Sequence, residues 1–351
     1  MPYRNISISR SARQLLRYLA AHKNQLSPLL ILAHNYPDPD ALASGIALKY
    51  LAEKGFDISA KVVYGGVIGR MENRAMVQVL KLPVQKLRGS DFKKYSKVAL
   101  VDTQPAFENN PFPKHRKPTL IIDQHTPAVK PLADCPIINP NCGATSVILV
   151  QALMLMGLSL PSQVATALAY GILSDTLHFS RSSSKDVIQC YLDILPFCNM
   201  QALAQIQNPS RSRRFFSTLG RGIQNAAFRK GLIVSHLGAV ENPDLVSQVA
   251  DFLLTYQKAK WALCTGRYKT KLHVSLRAGY AGADAAQILR DCVKNERDAG
   301  GHGSIAGGSF RVSQSADEPA WEASEQAIVA KLMKRLRIAA KSEFYFPFRR
   351  S

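Results

Sequence analysis

Through the first two hundred residues, short apolar runs alternate with segments whose apolar positions recur at helical spacing. The runs "LLILAH", "ISAKVVY", "KVALVDT" and "TLIIDQH" have the length and β-branched content of buried strands. Helical spacing marks residues 11–24, 40–54, 70–80, 144–157, 162–173 and 185–196. Strands alternating with helices predict an α/β fold, a doubly wound and mainly parallel sheet covered on both faces. From residue 231 the pattern shortens to the strand-like "GLIVSHL", "WALCTGRY" and "KLHVSLRA", with helical segments near 243–256, 283–294 and 321–340. This block reads as a smaller second α/β domain. Between the two lies the basic, turn-rich "NPSRSRRFFSTLGRGIQNAAFRKG". The predicted organisation is a first domain over 1–205, a linker over 206–230 and a second domain over 231–351. The closing "EFYFPFRRS" is aromatic and basic, and either packs on a domain or stays loose.

Composition adds size and charge to this picture. A chain of 351 residues, 46% hydrophobic and 20% charged, is long enough for two cores. The 45 Lys and Arg against 25 Asp and Glu give a formal charge of +20, which draws polyanions to the surface. The basic runs "FKKYSK", "PKHRKP", "RSRRFF" and "KLMKRLRIAAK" are scattered, so charge alone selects no partner. Cys135, Cys142, Cys190, Cys198, Cys264 and Cys292 occur singly, never as CxxC, and the start of the chain has no signal-peptide character. They read as reduced, structural thiols. No apolar run approaches the roughly 20 residues of a membrane span, so a cytoplasmic protein without a membrane anchor is expected.

Candidate chemistry gathers where the predicted strands end. In a doubly wound sheet, ligands bind beyond the carboxyl ends of the strands. The first strand runs into "AHNYPDPDALASG", with His34, Asp38 and Asp40. "KVALVDT" ends in Asp102, "TLIIDQH" ends in Asp123 and His125, and "YGILSDTLHFS" carries Asp175. Taken singly, each aspartate reads as a turn residue or a helix cap, with Asp40 before "ALASGIAL" as an N-cap. Taken together, carboxylates from several strand ends repel one another unless a cation neutralises them. Carboxylates with imidazoles and no thiolate suit Mn²⁺, or else Mg²⁺, better than structural zinc. A pair of such ions about 3.5–4 Å apart activates a water for phosphoester hydrolysis.

The motifs "HNYPDPDALASG", "VDT", "DQHTP", "GILSDTLHF" and "GGHGSIAGGSF", in this order, resemble the DHH phosphoesterase superfamily with its DHHA1 substrate-binding domain. The chain is most similar to the small oligoribonucleases, or nanoRNases, that also act as 3′-phosphoadenosine-5′-phosphate (pAp) phosphatases. That resemblance implies an N-terminal DHH domain, a C-terminal DHHA1 domain, two Mn²⁺ ions and hydrolysis of short RNA, linear dinucleotides of the pApA or pGpG type, or pAp. It also allows a homodimer. It implies that His34, Asp38 and Asp102 hold one ion and that Asp40, Asp102 and Asp175 hold the other, with Asp102 bridging. Asp123 and His125 take catalytic roles, His125 at the phosphate or the leaving group. Gln124 departs from the family pattern, which has a ligating histidine there; a neutral amide oxygen is the poorer ligand.

In "AGGHGSIAGGSF", glycines around His302 would let backbone N–H groups approach a phosphate; alternatively the segment is a plain flexible loop. By resemblance, Gly301, His302, Gly303 and Arg277 bind the substrate end remote from the metals, with Arg277 as a bidentate clamp. Arg70 and Asn73 are further candidates on resemblance alone. Two alternatives stand beside this reading: an inorganic pyrophosphatase or exopolyphosphatase, and a catalytically weakened nucleotide-binding protein, the latter suggested by Gln124.

Overall fold

The apolar runs of the first unit pair in parallel. In the computed structural model, which describes residues 10–127, 129–180, 184–280, 282–293, 295, 298–312, 317–339 and 343–349, six strands form one sheet. They are β1 (Leu29–Asn35), β2 (Ala60–Gly65), β3 (Val84–Lys86), β4 (Lys97–Val101), β5 (Leu120–Asp123) and β6 (Cys135–Ile138). Their order is β3-β2-β1-β4-β5-β6, and every pairing is parallel. The two edge strands, β3 and β6, are short and were not announced by the apolar pattern. The order reverses between β1 and β4, the doubly wound arrangement that opens a crevice beyond the strand ends at that crossing.

Alternation along the strands divides the core. Leu29, Ile31, Ala33, Val62, Val101 and Ile122 pack with the helices α1 (Arg10–Leu26), α2 (Pro39–Phe56), α5 (Thr145–Met156) and α6 (Ser162–Asp175). Leu30, Leu32, Val63, Leu100 and Ile121 face the other way, onto Tyr95 and Phe112. That second face is thus closed by the short α4 (Asp91–Lys94) and irregular chain rather than by a layer of long helices. Helices α3 (Met71–Val79), α7 (Lys185–Ile194) and α8 (Met200–Gln207) complete the unit. Gly171 lets α6 press against its neighbours: a Cβ there would stand 2.7 Å from Ser146 Oγ and 3.1 Å from the Ala43 Cβ of α2.

The chain divides into units at Ser210 and Arg211. The stretch 206–230, expected as a linker, instead holds the end of α8, helix α9 (Arg213–Gln224) and strand β7 (Ala227–Arg229). Ser212 caps α9 and Phe215 is buried, so a stretch of polar, basic composition still buries one face. In the second unit β7 joins β8 (Leu232–Ala239), β9 (Trp261–Tyr268), β10 (Lys271–Ala278), β11 (Ala299–His302) and β12 (Ile305–Arg311). The order is β11-β12-β10-β9-β8-β7; β8 and β9 pair in parallel and the other pairings are antiparallel. Helices α10 (Asp244–Leu254), α11 (Ala285–Cys292) and α12 (Glu318–Arg335) cover its faces.

Three smaller expectations resolve here. The glycine-rich 299–310 is not a loop but the hairpin of β11 and β12, because residues without side chains still pair through their backbones. The aromatic tail packs: Tyr345 exchanges two backbone hydrogen bonds with Phe228 of β7, at 2.7 and 3.1 Å, and its ring meets that of Phe228 edge-on. All six cysteines are free, and among the described residues no helix is long and apolar enough to cross a membrane.

Candidate metal centre

Three adjacent strands, β1, β4 and β5, carry His34, Asp102 and Asp123 at or just past their ends, on one edge of the parallel sheet. His34 stands near the end of β1. Its Nδ1–H points at the Asn35 carbonyl oxygen (2.8 Å), which directs Nε2 toward Asp38 Oδ2 (3.8 Å) and Asp102 Oδ2 (3.6 Å). Asp102 follows β4 in a left-handed backbone conformation, φ 56°, that aspartate tolerates better than most residues. Its N–H donates to the Ile122 carbonyl of β5 (2.9 Å), and its Oδ1 accepts from Thr145 Oγ1 (2.9 Å). Asp123 ends β5 and accepts from both the backbone N–H (3.1 Å) and the Nδ1 (2.8 Å) of His125. His125 Nδ1 lies 3.6 Å from Asp102 Oδ1.

The ligand atoms therefore fall into two sets, His34–Asp38–Asp102 and Asp102–Asp123–His125, each with its atoms within 4.8 Å of one another. Asp102 belongs to both. Each set offers one imidazole and two carboxylates without a thiolate, a donor chemistry that fits a hard or borderline divalent ion.

Asp40 and Asp175, which the resemblance adds to Asp102 in a second site, are held by hydrogen bonds of their own. Asp40, fully buried, points its oxygens at the first N–H groups of α5, Thr145 (2.7 Å) and Ser146 (2.8 Å), where the helix terminus favours a negative charge. Nor is it the N-cap of α2: that is Asp38, whose Oδ1 accepts from the Ala41 N–H (3.0 Å), with Asp40 inside the first turn. Asp175, the last residue of α6, accepts a hydrogen bond from the Gln124 amide. Gln124 thus presents its NH₂, not a ligand oxygen, to that carboxylate. Asp40 nevertheless feels the charges of Asp102 and Asp175, so these acids share the space beside the two sets.

Electrostatics explain how so many acids share one space. Burial works against a charge on His34, but Asp102 and Asp38 outweigh it and raise the imidazole to about 11. The Asp123 carboxylate raises His125 to about 9, against the opposing effect of burial. Burial raises Asp102 to about 6, in spite of His34. Burial also pushes Asp40 well above the carboxylate range, helped by Asp102, Asp175 and Asp38. Burial opposes ionisation of Asp38, yet His34 holds its carboxyl low. Without a metal, protons neutralise the cluster.

Two residues that sequence reasoning missed hold the site in place. Gln104, 1% exposed, donates through Nε2 to Asp123 Oδ2 (2.7 Å) and to the His125 carbonyl (2.9 Å). Its own carbonyl is held by Asn110 Nδ2 (2.8 Å). Thr145 fixes Asp102. The one signal for Gln104 was its place two residues after a strand-end aspartate. Positioning partners of ligands are worth tenfold to a hundredfold. Gln104→Leu is therefore expected to weaken binding of a divalent ion by about 10- to 100-fold; an unchanged metal titration would remove Gln104 from this role.

The remaining candidates lie elsewhere. Asn73 is buried and donates to the Pro37 carbonyl (3.2 Å), bracing the loop that carries Asp38. Arg70 is exposed at the N-cap of α3. In the second unit Arg277 is no open clamp: it is 8% exposed, its Nε is paired with Asp251, and its Nη1 donates to the Ala306 carbonyl (2.9 Å). Gly301 and Gly303 border the turn between β11 and β12, both at positive φ, and a Cβ at Gly301 would stand 2.2 Å from the Ile305 oxygen. The backbone of His302 lies in β11, and its side chain is outside the described residues.

A family model described as the DHH family, N-terminal domain, matches residues 28–172, a span that holds both ligand sets and ends just before Asp175. The uncharacterized protein MJ1633 of Methanocaldococcus jannaschii is 30% identical over 331 residues, 93% of this chain and 68% of its own length. Among solved structures, an exopolyphosphatase-related protein from Bacteroides fragilis matches with a TM-score of 0.71 at 15% identity, over 95% of this chain and 99% of its own. RecJ from Thermus thermophilus, in complex with Mn²⁺, matches with a TM-score of 0.52 at 14% identity, over 94% of this chain and 56% of its own. At such identities the likeness establishes the fold.

Proposed function

We propose a substrate class from the premise that the chain belongs to the DHH family, whose members are divalent-metal-dependent phosphoesterase and phosphatase hydrolases. The enzyme hydrolyses short oligoribonucleotides, linear dinucleotides of the pApA or pGpG type, and pAp, with Mn²⁺ as the preferred ion. The observation that carries this reading is the pair of ligand sets joined by Asp102 at the carboxyl edge of the sheet. Divalent ions held there supply Lewis acidity, easing deprotonation of the attacking water and neutralising phosphoryl charge.

The chain's own groups do the rest. Asp123 holds His125 through Nδ1, so its Nε2–H is left for the substrate. Whether its Nδ1 faces Asp123 or an ion held in that set, its Nε2–H remains free to hydrogen-bond the leaving oxygen. Its side chain is 44% exposed, within reach of a phosphate in solution. Mn²⁺ accepts such mixed imidazole and carboxylate sets. Six unpaired thiols suit the reducing cytoplasm, where short RNA and dinucleotides arise.

The test is a set of substrates offered to the full chain with Mn²⁺, with Mg²⁺ and after chelation: labelled RNAs from dinucleotide to decamer, pAp, pyrophosphate and polyphosphate. Mononucleotide release from the short RNAs, and phosphate release from pAp, is the expected result. Turnover confined to pyrophosphate or polyphosphate would overturn it.

A further inference from the structure

Helix α1 lies along the outer edge of the parallel sheet, beside β6. Its apolar stripe, Ala12, Leu15, Leu19 and Leu26, is buried. The opposite side lines a groove of about 670 Å³ that ends at Cys135 of β6. Arg10, Arg13 and Arg17 stand along it at i, i+3 and i+7, one helical face. Among the described residues none of the three is bound to a carboxylate. Asp134, which adjoins Tyr18, is taken by Lys117 at 2.7 Å.

Three further features make this more than a solvated basic face. Gln14 Nε2 donates to the Pro136 carbonyl of β6 (3.2 Å), so the strand edge facing the groove is occupied by a side chain and is not free to pair with another strand. Tyr18 and His22 stack at the far end with ring centroids 4.3 Å apart, their geometry fixed by His22 Nδ1–H on the Tyr18 carbonyl (3.0 Å). The near end points toward the carboxyl edge of the sheet: Asn139, just past β6, donates to Ser11 Oγ of α1 (3.4 Å) and, through its backbone, to the backbone carbonyl of Asp123 (2.9 Å). From Arg10 to His22 the helix runs about 18 Å, from the edge that holds Asp123 toward the opposite edge.

We propose that this groove is a track for the backbone of a single-stranded oligonucleotide whose reacting end lies at the metal centre. This rests on the functional reading above and extends it. Spaced guanidinium groups suit successive phosphates, and an aromatic pair at the end of a basic groove suits a base rather than a bare phosphate chain. Dinucleotides are too short to use the track, whereas oligomers of several nucleotides gain from it. The same groove therefore favours longer members of the substrate class.

The test compares the full chain with its Arg13→Gln/Arg17→Gln variant, both exposed positions whose replacement leaves the apolar stripe intact. Binding of a fluorescent hexaribonucleotide is followed by anisotropy in an Asp102→Asn background, with salt varied. The variant is expected to bind about tenfold more weakly, and its slope of log K against log salt is expected to fall by about 1.4, two phosphate contacts at about 0.7 each. In the active protein, the ratio of kcat/KM for hexamer over dinucleotide should fall about tenfold. His22→Ala should weaken the hexamer and leave competition by inorganic polyphosphate unchanged. Unaltered affinity and salt slope would overturn the track. Loss of polyphosphate competition alone would overturn its assignment to nucleic acid. Arginine-dependent binding in a protein that cleaves no phosphodiester would sink the functional reading and leave the track standing; cleavage without length dependence would sink the track alone.

Discussion

Asp102→Asn is expected to abolish hydrolysis, with kcat reduced at least ~10³-fold, about 4 kcal/mol of transition-state stabilisation. The reason is position: Asp102 is the one residue in both ligand sets. Its Oδ2 faces His34 and its Oδ1 faces His125. An amide of the same shape keeps the Thr145 hydrogen bond and tolerates the left-handed backbone, yet it carries no charge and ligates poorly. The fold should therefore survive. Because burial raises the Asp102 carboxyl to about 6, the charged form burdens the metal-free protein, a cost that grows as pH rises from 3.8 through about 6. At pH 8 the metal-free variant should melt no lower than the parent. Activity within tenfold of the parent at saturating Mn²⁺ would remove Asp102 from the bridging position.

The second large effect is on metal affinity, which is expected to climb steeply with pH. His34, raised to about 11, and His125, raised to about 9, hold protons at neutral pH that an ion must displace. Each obligatory proton adds a tenfold rise per pH unit, so the apparent association constant should increase up to about 100-fold per unit below pH 9. Calorimetric titration of the chelated protein with Mn²⁺ between pH 6 and 8, in buffers of different ionisation enthalpy, gives both the affinity and the protons released. Affinity independent of pH would mean that the imidazoles do not ligate. The same shift stabilises the metal-free fold: the His34 contribution is complete below 6.5 and disappears as pH rises through about 11. Loading at high pH thus replaces a stabilising proton with a stabilising ion.

Much of this was legible because strands and their ends carry strong local signals. The runs that became β1, β2, β4 and β5 are mostly apolar, since both faces of a parallel sheet are buried. His34, Asp102 and Asp123 could be placed at one edge once those strands were recognised. The edge strands β3 and β6 were hidden, because three or four residues with partial exposure show no periodicity. The hydrogen-bond partners of the acids were also hidden. Nothing in the order of residues tells that the N–H groups of Thr145 and Ser146 claim Asp40, a contact made across more than a hundred positions. Gln124 looked like a substitute ligand, and only its hydrogen bond to Asp175 reveals a donor. Arg277 looked free because its partner Asp251 comes from another element, α10.

The pairing of Tyr345 with Phe228 bears on how the molecule is made. The first unit has all its strands in hand long before the ribosome reaches the second, and N-terminal domains fold as they are synthesised. The second unit cannot finish on the same schedule. Its β7 border waits for a residue from the far end of that unit, so the border stays uncovered through nearly all of the unit's translation. During that interval the nascent chain displays the open outer edge of β7 and the Phe228 ring together, a surface for holding chaperones or for misassociation. The growing polypeptide is thus most vulnerable late, after its catalytic half is already sound.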